Sequence, residues 1–220
     1  MLEEIMRQRT LRHRFFRPRP QVGRSRAAVV AGIRVLLVIT VVMLITMLSG
    51  LYYRHHHPAI GQAIDEYQGV TVYYNGGQID RSYGQHYSPD GYYYGQKWQC
   101  VEYVKRFYFD ALHHPMPDTF GNARDFWDEG VAAGQLNYRR GLLQYRNGGE
   151  FPPQVDDLLV FTNGNYGHVA VISKVGADQI QVVQQNVAGH ARQRLAYWQR
   201  SGRYYVGDGQ QPAGWLRLEQ

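Results

Sequence analysis

The chain holds one cysteine, Cys100, and nine histidines, the residue types from which a thiol hydrolase is built. A thiol becomes a nucleophile only as thiolate, which needs a positive potential near the sulfur and a base for its proton. Cys100 stands where an apolar helical pattern begins. Val101, Val104, Phe107, Tyr108, Ala111 and Leu112 recur at three- and four-residue spacing, which predicts a helix from Gln99 to Leu112. Pro115 and Pro117 then stop it. At that place the sulfur faces the positive end of the helix dipole. A single cysteine excludes an internal disulfide, and the competing reading is an inert thiol packed in the core.

The base must come from elsewhere in the fold. His13 sits in an Arg-rich tail, His55, His56 and His57 form a run leading to Pro58, and His113 and His114 close a helix. His168 differs: it follows Gly167 and opens a β-rich apolar run to Val175, so a strand would hold its ring at a sheet edge. A second such run, Gln179 to Val187, follows the hairpin sequence Gly176-Ala177-Asp178. It carries Gln184 and Asn186 on one face, because strand side chains alternate. If even-numbered residues pair with even-numbered ones, either amide falls opposite or diagonal to His168 and can fix its tautomer. The plain alternative is that both are ordinary strand polars.

The elements around these residues predict an α+β domain, one helix ahead of an antiparallel sheet. Gly69 to Tyr74 reads as a short strand and Asn75-Gly76-Gly77 as a turn. Tyr83 to Gly95 reads as a loop whose tyrosines either line a groove or pack the core edge. Asn122 to Ala133 reads as a second helix, and Leu158 to Phe161 and Gly214 to Leu218 as strands.

Composition places the rest. The hydrophobic fraction of 44% is that of a folded chain rather than a disordered one. The net charge of +6 suggests nucleic acid until its distribution is seen. Arg7, Arg9, Arg12, Arg14, Arg17, Arg19, Arg24, Arg26 and Arg34 lie in the first 34 residues with only Glu3 and Glu4, leaving fifteen basic and sixteen acidic residues for the remainder. The basicity belongs to the tail. Val35 to Tyr53 is a run of nineteen uncharged residues, long enough at 1.5 Å rise each to cross about 28 Å of hydrocarbon. Nine arginines before it against Arg54 after it predict a cytoplasmic N-terminus and an outer domain, periplasmic in a bacterial inner membrane. The expected partition is a basic tail over 1–34, a transmembrane helix over 35–53, a stalk over 54–65 and a domain over 66–218. The tail is expected to meet anionic membrane lipid and not nucleic acid. The His55–His57 run reads as solvated stalk rather than a metal site. Without a phosphate loop, metal-ligand spacing or nucleotide fingerprint, no cofactor and no metal are expected.

The segment Gly95-Gln-Lys-Trp-Gln-Cys100-Val-Glu-Tyr-Val-Lys-Arg-Phe resembles the nucleophile motif of CHAP domains, the cysteine- and histidine-dependent amidohydrolases/peptidases. Asp157-Leu-Leu-Val-Phe followed by Gly167-His168-Val-Ala-Val-Ile is similar to that family's histidine strand. Within the family the likeness is greatest to the amidase domain of glutathionylspermidine synthetase/amidase. It rests on the KWQCVE run, Gly69-Val-Thr-Val-Tyr, Gln185-Asn186-Val187 and Gly214-Trp215, over about residues 66–218. The resemblance implies a papain-like fold with Cys100 as nucleophile and His168 as base. Gln184 stands where the family usually has Glu, and Asn186 is an alternative orienter. The Cys100 backbone N–H is expected as first oxyanion donor and the Gln99 side chain as the second. Trp98, Glu102 and Lys105 belong to the motif and are candidates for binding substrate; on a helix the two charged ones could equally stabilise the fold.

The apolar run and the resemblance together imply a membrane-anchored thiol amidase. An outer domain would meet peptidoglycan, whose peptide amides many CHAP domains cleave. The alternatives are an amidase for a small polyamine conjugate, and a tethered binding module whose Gln184 leaves the triad degenerate.

Overall fold

The structure is a computed structural model, and it describes residues 22–207 and 209–219. The Arg-rich stretch expected to meet lipid lies mostly outside them. The chain divides into two units at His56/His57.

The first unit is one helix, α1, over Val22–His56. It is longer than the expected 35–53 because helix propensity does not stop at the edge of the apolar run: Ala27, Ala28 and Ala31 carry it back through Arg26 and Arg34. Within it Ser25–Tyr53 has a mean hydropathy of 2.8 and is long and apolar enough to cross a membrane. Its large side chains are exposed, Leu36, Val38, Leu44 and Leu48 by more than half, so no core among the described residues claims them.

The second unit opens with a hairpin of β1 (Ala63–Tyr67) and β2 (Val70–Tyr73). Gln68 and Gly69 both have positive φ, which is what a two-residue turn matched to strand twist requires. The expected stalk therefore ends inside β1. The Tyr-rich stretch read as a loop is a second hairpin, β3 (Gln85–Tyr87) and β4 (Tyr93–Gln96). Tyr92 stacks on Phe109 at 4.6 Å between centroids and Tyr94 is buried, so these rings pack the flank of the next helix.

That helix, α2, spans Cys100–Asp110. Tyr103, Val104, Phe107 and Tyr108 are fully buried on its inner face, each contributing about 1.5–3 kcal/mol by leaving water. It ends because His113 turns left-handed and the His114 N–H reaches back to Tyr108 O. The second expected helix, from Asn122 to Ala133, is a single 3-10 turn over Ala123–Phe126. The buried amide of Gln144 removes the rest. Its Oε1 accepts the Asp128 N–H at 3.1 Å and its Nε2 donates to Asp128 O at 2.7 Å, taking both backbone groups a helix would need.

An eight-stranded antiparallel sheet follows: β5 (Gln135–Asn137), β6 (Leu142–Arg146), β7 (Leu158–Phe161), β8 (His168–Val175), β9 (Gln179–Val183), β10 (Arg192–Arg200), β11 (Arg203–Val206) and β12 (Gly214–Arg217). Its order is β11-β10-β9-β8-β7-β12-β6-β5. One face, with Leu158, Val160, Val169, Val171 and Leu216, shares a core with α2; the other gathers Leu159, Ile172, Val182 and Trp215. The result is the expected α+β arrangement, with α2 packed against β8.

Candidate active site

The first residue of α2 and the first residue of β8 meet. Cys100 is 8% exposed, and His168 is the side chain that acts on its thiol. Burial alone would push this thiol up. The His168 bond and charge, with the N–H groups of Val169 and Val101, bring it below its ordinary value of 9.0. Burial likewise pushes His168 down, but the Cys100 charge and bond, then Gln184, lift it above 6.5. Both directions favour the thiolate–imidazolium pair.

Gln184 completes the arrangement. Its Oε1 lies 2.9 Å from His168 Nε2. Its Nε2 donates to His190 O at 3.3 Å and to Gln193 Oε1 at 3.2 Å. A carbonyl such as His190 O can only accept, so the amide nitrogen must face it and Oε1 must face the ring. Nε2 of His168 therefore carries hydrogen, and Nδ1 is the nitrogen left for Cys100.

The hairpin register produces this contact. Val171 pairs with Val183 and Ile172 with Val182, odd with odd and even with even, so His168 and Gln184 share a face on a diagonal. Nearer the turn the parity is different: Lys174 pairs with Gln181 and Val175 with Ile180. A β-bulge between Ile172 and Lys174 makes the switch. Without it Gln184 would point to the opposite face. Gly167 has φ +71°, and a Cβ there would stand 2.4 Å from Phe161 O and 2.7 Å from Arg124 N, so only glycine delivers the chain to His168 by this path.

Asn186 does not reach His168. Strand β9 ends at Val183, short of the expected Val187, and Asn186 adopts φ +67°, so alternation no longer places it. Its Nδ2 donates instead to Gln99 Oε1 and to Ile79 O, and its Oδ1 accepts from Asn75 Nδ2 at 2.6 Å. Gln99 is equally committed: its Nε2 donates to Arg81 O at 2.8 Å and Ile79 O at 3.2 Å. This directs the Gln99 amide toward a neighbouring loop rather than an oxyanion. The Cys100 N–H, at the first position of the helix, has no intrahelical acceptor and remains available.

Glu102 and Lys105, expected at the substrate, are inside the protein with no exposed surface. Glu102 meets Arg106 Nε at 2.6 Å, His86 Nδ1 at 2.7 Å and Gln185 Nε2 at 2.6 Å. Burial pushes its carboxyl up, but His86, Arg106 and Gln185 hold it below the usual carboxylate range. Lys105 Nζ donates to Tyr93 O and, at 2.9 Å, to Thr119 O. Its burial, with Arg140 nearby, lowers it to about 7. Trp98 packs on Tyr73 at 4.2 Å and against His86, and keeps partial exposure two residues ahead of Cys100.

Two residues to which the sequence reading gave no role at the site position the nucleophile. Gln185 accepts the Tyr73 N–H at 2.7 Å and donates to Gln99 O at 3.1 Å and to Glu102, tying β2 to the peptide before Cys100. Asn75, read only as part of a turn, accepts the Trp98 N–H at 3.2 Å. Among the described residues no group of three or more His, Cys, Asp and Glu side chains is placed to hold a metal.

The chain is 27% identical over 110 residues to trypanothione synthetase of Crithidia fasciculata, covering 49% of this chain and 17% of that protein. It is 29% identical over 125 residues to the bifunctional glutathionylspermidine synthetase/amidase of Escherichia coli (strain K12), covering 54% and 20%. The same figures hold for that of Shigella flexneri. The alignments thus span a fifth or less of those relatives. Family and relatives point to a hydrolase acting on amide bonds. The stretch that includes Cys100, His168 and Gln184 together, residues 91–186, matches the model of the CHAP domain.

Proposed function

We propose that the protein is a membrane-tethered thiol amidase, with Cys100 as nucleophile, His168 as general base and acid, and Gln184 as the group that orients the imidazole. The observation that carries this reading is the Cys100–His168 contact, with His168 Nε2 held 2.9 Å from Gln184 Oε1. His168 Nδ1 takes the thiol proton and the sulfur attacks the amide carbonyl carbon. The oxyanion forms beside the Cys100 N–H. As the tetrahedral intermediate collapses, the C–N bond breaks, the imidazolium protonates the leaving amine, and a thioester remains. Water, deprotonated by His168, then attacks the thioester. The acid is released and the thiol restored.

The substrate we assign is a peptide amide of cell-wall peptidoglycan. The arginine asymmetry about α1 supports a domain facing outward from a cytoplasmic N-terminus, where that polymer lies. A second reading has one observation in its favour: among the relatives is a glutathionylspermidine synthetase/amidase, so a small polyamine conjugate is the competing amide. The full chain and Cys100→Ala, in detergent, are incubated separately with digested peptidoglycan and with glutathionylspermidine, and products are read by mass spectrometry. Cys100-dependent muropeptide fragments are expected. Release of free spermidine alone would replace the first substrate with the second.

A further inference from the structure

The folded domain begins almost at once after the apolar helix. α1 ends at His56, and three residues later the Ala59 N–H already donates to Gln62 Oε1 at 2.9 Å. The Gly61 N–H then donates to Tyr74 O at 2.8 Å, and the Tyr74 N–H to Gln62 O at 2.9 Å. Ile60 lies four residues past the helix end, so even a fully extended chain keeps it within about 14 Å of that end, whatever angle the domain takes.

Ile60 is 48% exposed, and its neighbours are of one kind. A Cβ at Gly76 would stand 3.6 Å from Ile60 Cγ1 and 3.7 Å from Tyr83 Oη, which brings those two side chains together. A Cβ at Gly61 would stand 3.0 Å from Trp98 Nε1. The Tyr83 N–H donates to Lys97 O at 2.8 Å and joins the two segments. Both rings are half-buried, and each carries a cation: Arg81 lies 5.3 Å from the centroid of Tyr83 and Lys97 5.7 Å from that of Trp98. On the same loop Ile79 is 59% exposed, and Asp80 is the one acid set against the two cations. A single exposed isoleucine is ordinary on a protein surface; this group is set apart by where the chain forces Ile60 to be. Aliphatic side chains beside amphipathic rings and basic groups are what a bilayer interface accommodates.

We propose, resting on the membrane-tethered reading above, that this surface seats the domain on lipid headgroups. Ile60 and Ile79 enter the interface, Tyr83 and Trp98 lie at headgroup level, and Arg81 and Lys97 meet lipid phosphates. The same loop holds the residue before the nucleophile, since Ile79 O and Arg81 O accept from Gln99 Nε2 at 3.2 and 2.8 Å. Cys100 therefore works beside the bilayer, on an amide presented at its surface.

Nitroxide labels on the full chain test this. In a Cys100→Ala background, Leu44→Cys, Ile79→Cys and Tyr138→Cys are labelled singly and placed in nanodiscs of phosphatidylethanolamine and phosphatidylglycerol. Electron paramagnetic resonance reads how readily each label is reached by oxygen, which concentrates in lipid, and by a nickel chelate, which stays in water. Oxygen should dominate at the Leu44 position, inside the apolar span, and at the Ile79 position. The chelate should dominate at the Tyr138 position, which is 81% exposed between β5 and β6. Ile60→Asp should lower the oxygen-to-nickel ratio at the Ile79 position several-fold. Chelate dominance at the Ile79 position alone, or no effect of Ile60→Asp, would overturn the proposal and leave the tether standing. Chelate dominance at the Leu44 position would overturn both. Oxygen dominance at the Tyr138 position as well would mean adsorption without a preferred face, and would also overturn it.

Discussion

Gln184 lies diagonally across the β8–β9 hairpin from His168 and presents its carbonyl oxygen, 2.9 Å away, to the imidazole Nε2. Its own N–H groups are spent on His190 O and Gln193 Oε1, so the neutral amide fits its surroundings better than a carboxylate would. A glutamate would set an acceptor against the His190 carbonyl. Gln184→Glu is therefore expected to give no gain in kcat/KM. Gln184→Leu, which frees the imidazole to change tautomer, should lower it by about tenfold to a hundredfold, the worth of a lost buried bond of about 1.5–3 kcal/mol. Steady-state kinetics of both variants checks this, and a large gain with Glu would mean that the triad is degenerate.

Thiol titration gives a second expectation. The opposed shifts of Cys100 and His168 make the thiolate available below the ordinary thiol range. Alkylation of the full chain by iodoacetamide should rise with pH through an inflection below 9.0. In His168→Ala burial acts on the thiol without its charged partner, and the inflection should move upward. An unchanged profile in that variant would separate the two residues.

Glu102 anchors Arg106, His86 and Gln185, and through Gln185 the peptide ahead of Cys100. Glu102→Gln leaves Arg106 without its counter-charge in the interior. It should destabilise the domain by about 3–5 kcal/mol, read as a lower denaturation midpoint. A lowered kcat/KM with undiminished stability would return Glu102 to the substrate.

Lys105 offers the parallel case. Its ammonium holds the carbonyls of Tyr93 and Thr119 together, so Lys105→Met should cost stability, about 1–3 kcal/mol, and leave KM unchanged. Since burial lowers this lysine from 10.5 to about 7, the unfolded chain binds its proton more tightly. The contribution of Lys105 to stability should therefore improve as pH rises from about 7 toward 10.5, and that slope should vanish in Lys105→Met.

Local chemistry made some of this legible in the sequence. The α2 periodicity and the His168 strand follow from side-chain spacing, whereas the parity that brings Gln184 to His168 depends on the β-bulge between Ile172 and Lys174, which that spacing does not announce. What remained hidden depends on tertiary partners. Nothing near Asn122 announces that Gln144, a strand residue, takes the backbone groups of Asp128 and ends the helix. Strand β10 reads Arg-Gln-Arg-Leu-Ala-Tyr-Trp-Gln-Arg, and its mostly exposed side chains hide the alternation by which a half-buried strand is recognised. Asn186 and Gln99 carry the right functional groups, but a left-handed turn at Asn186 points them at each other.

The most direct test is to trap the acyl-enzyme. The full chain is mixed with muropeptide, quenched in acid during turnover, digested and mapped by mass spectrometry. A peptide containing Cys100 that carries the mass of the substrate's acyl half, absent from Cys100→Ala along with the products, is the expected result. Turnover that persists in Cys100→Ala would contradict the account.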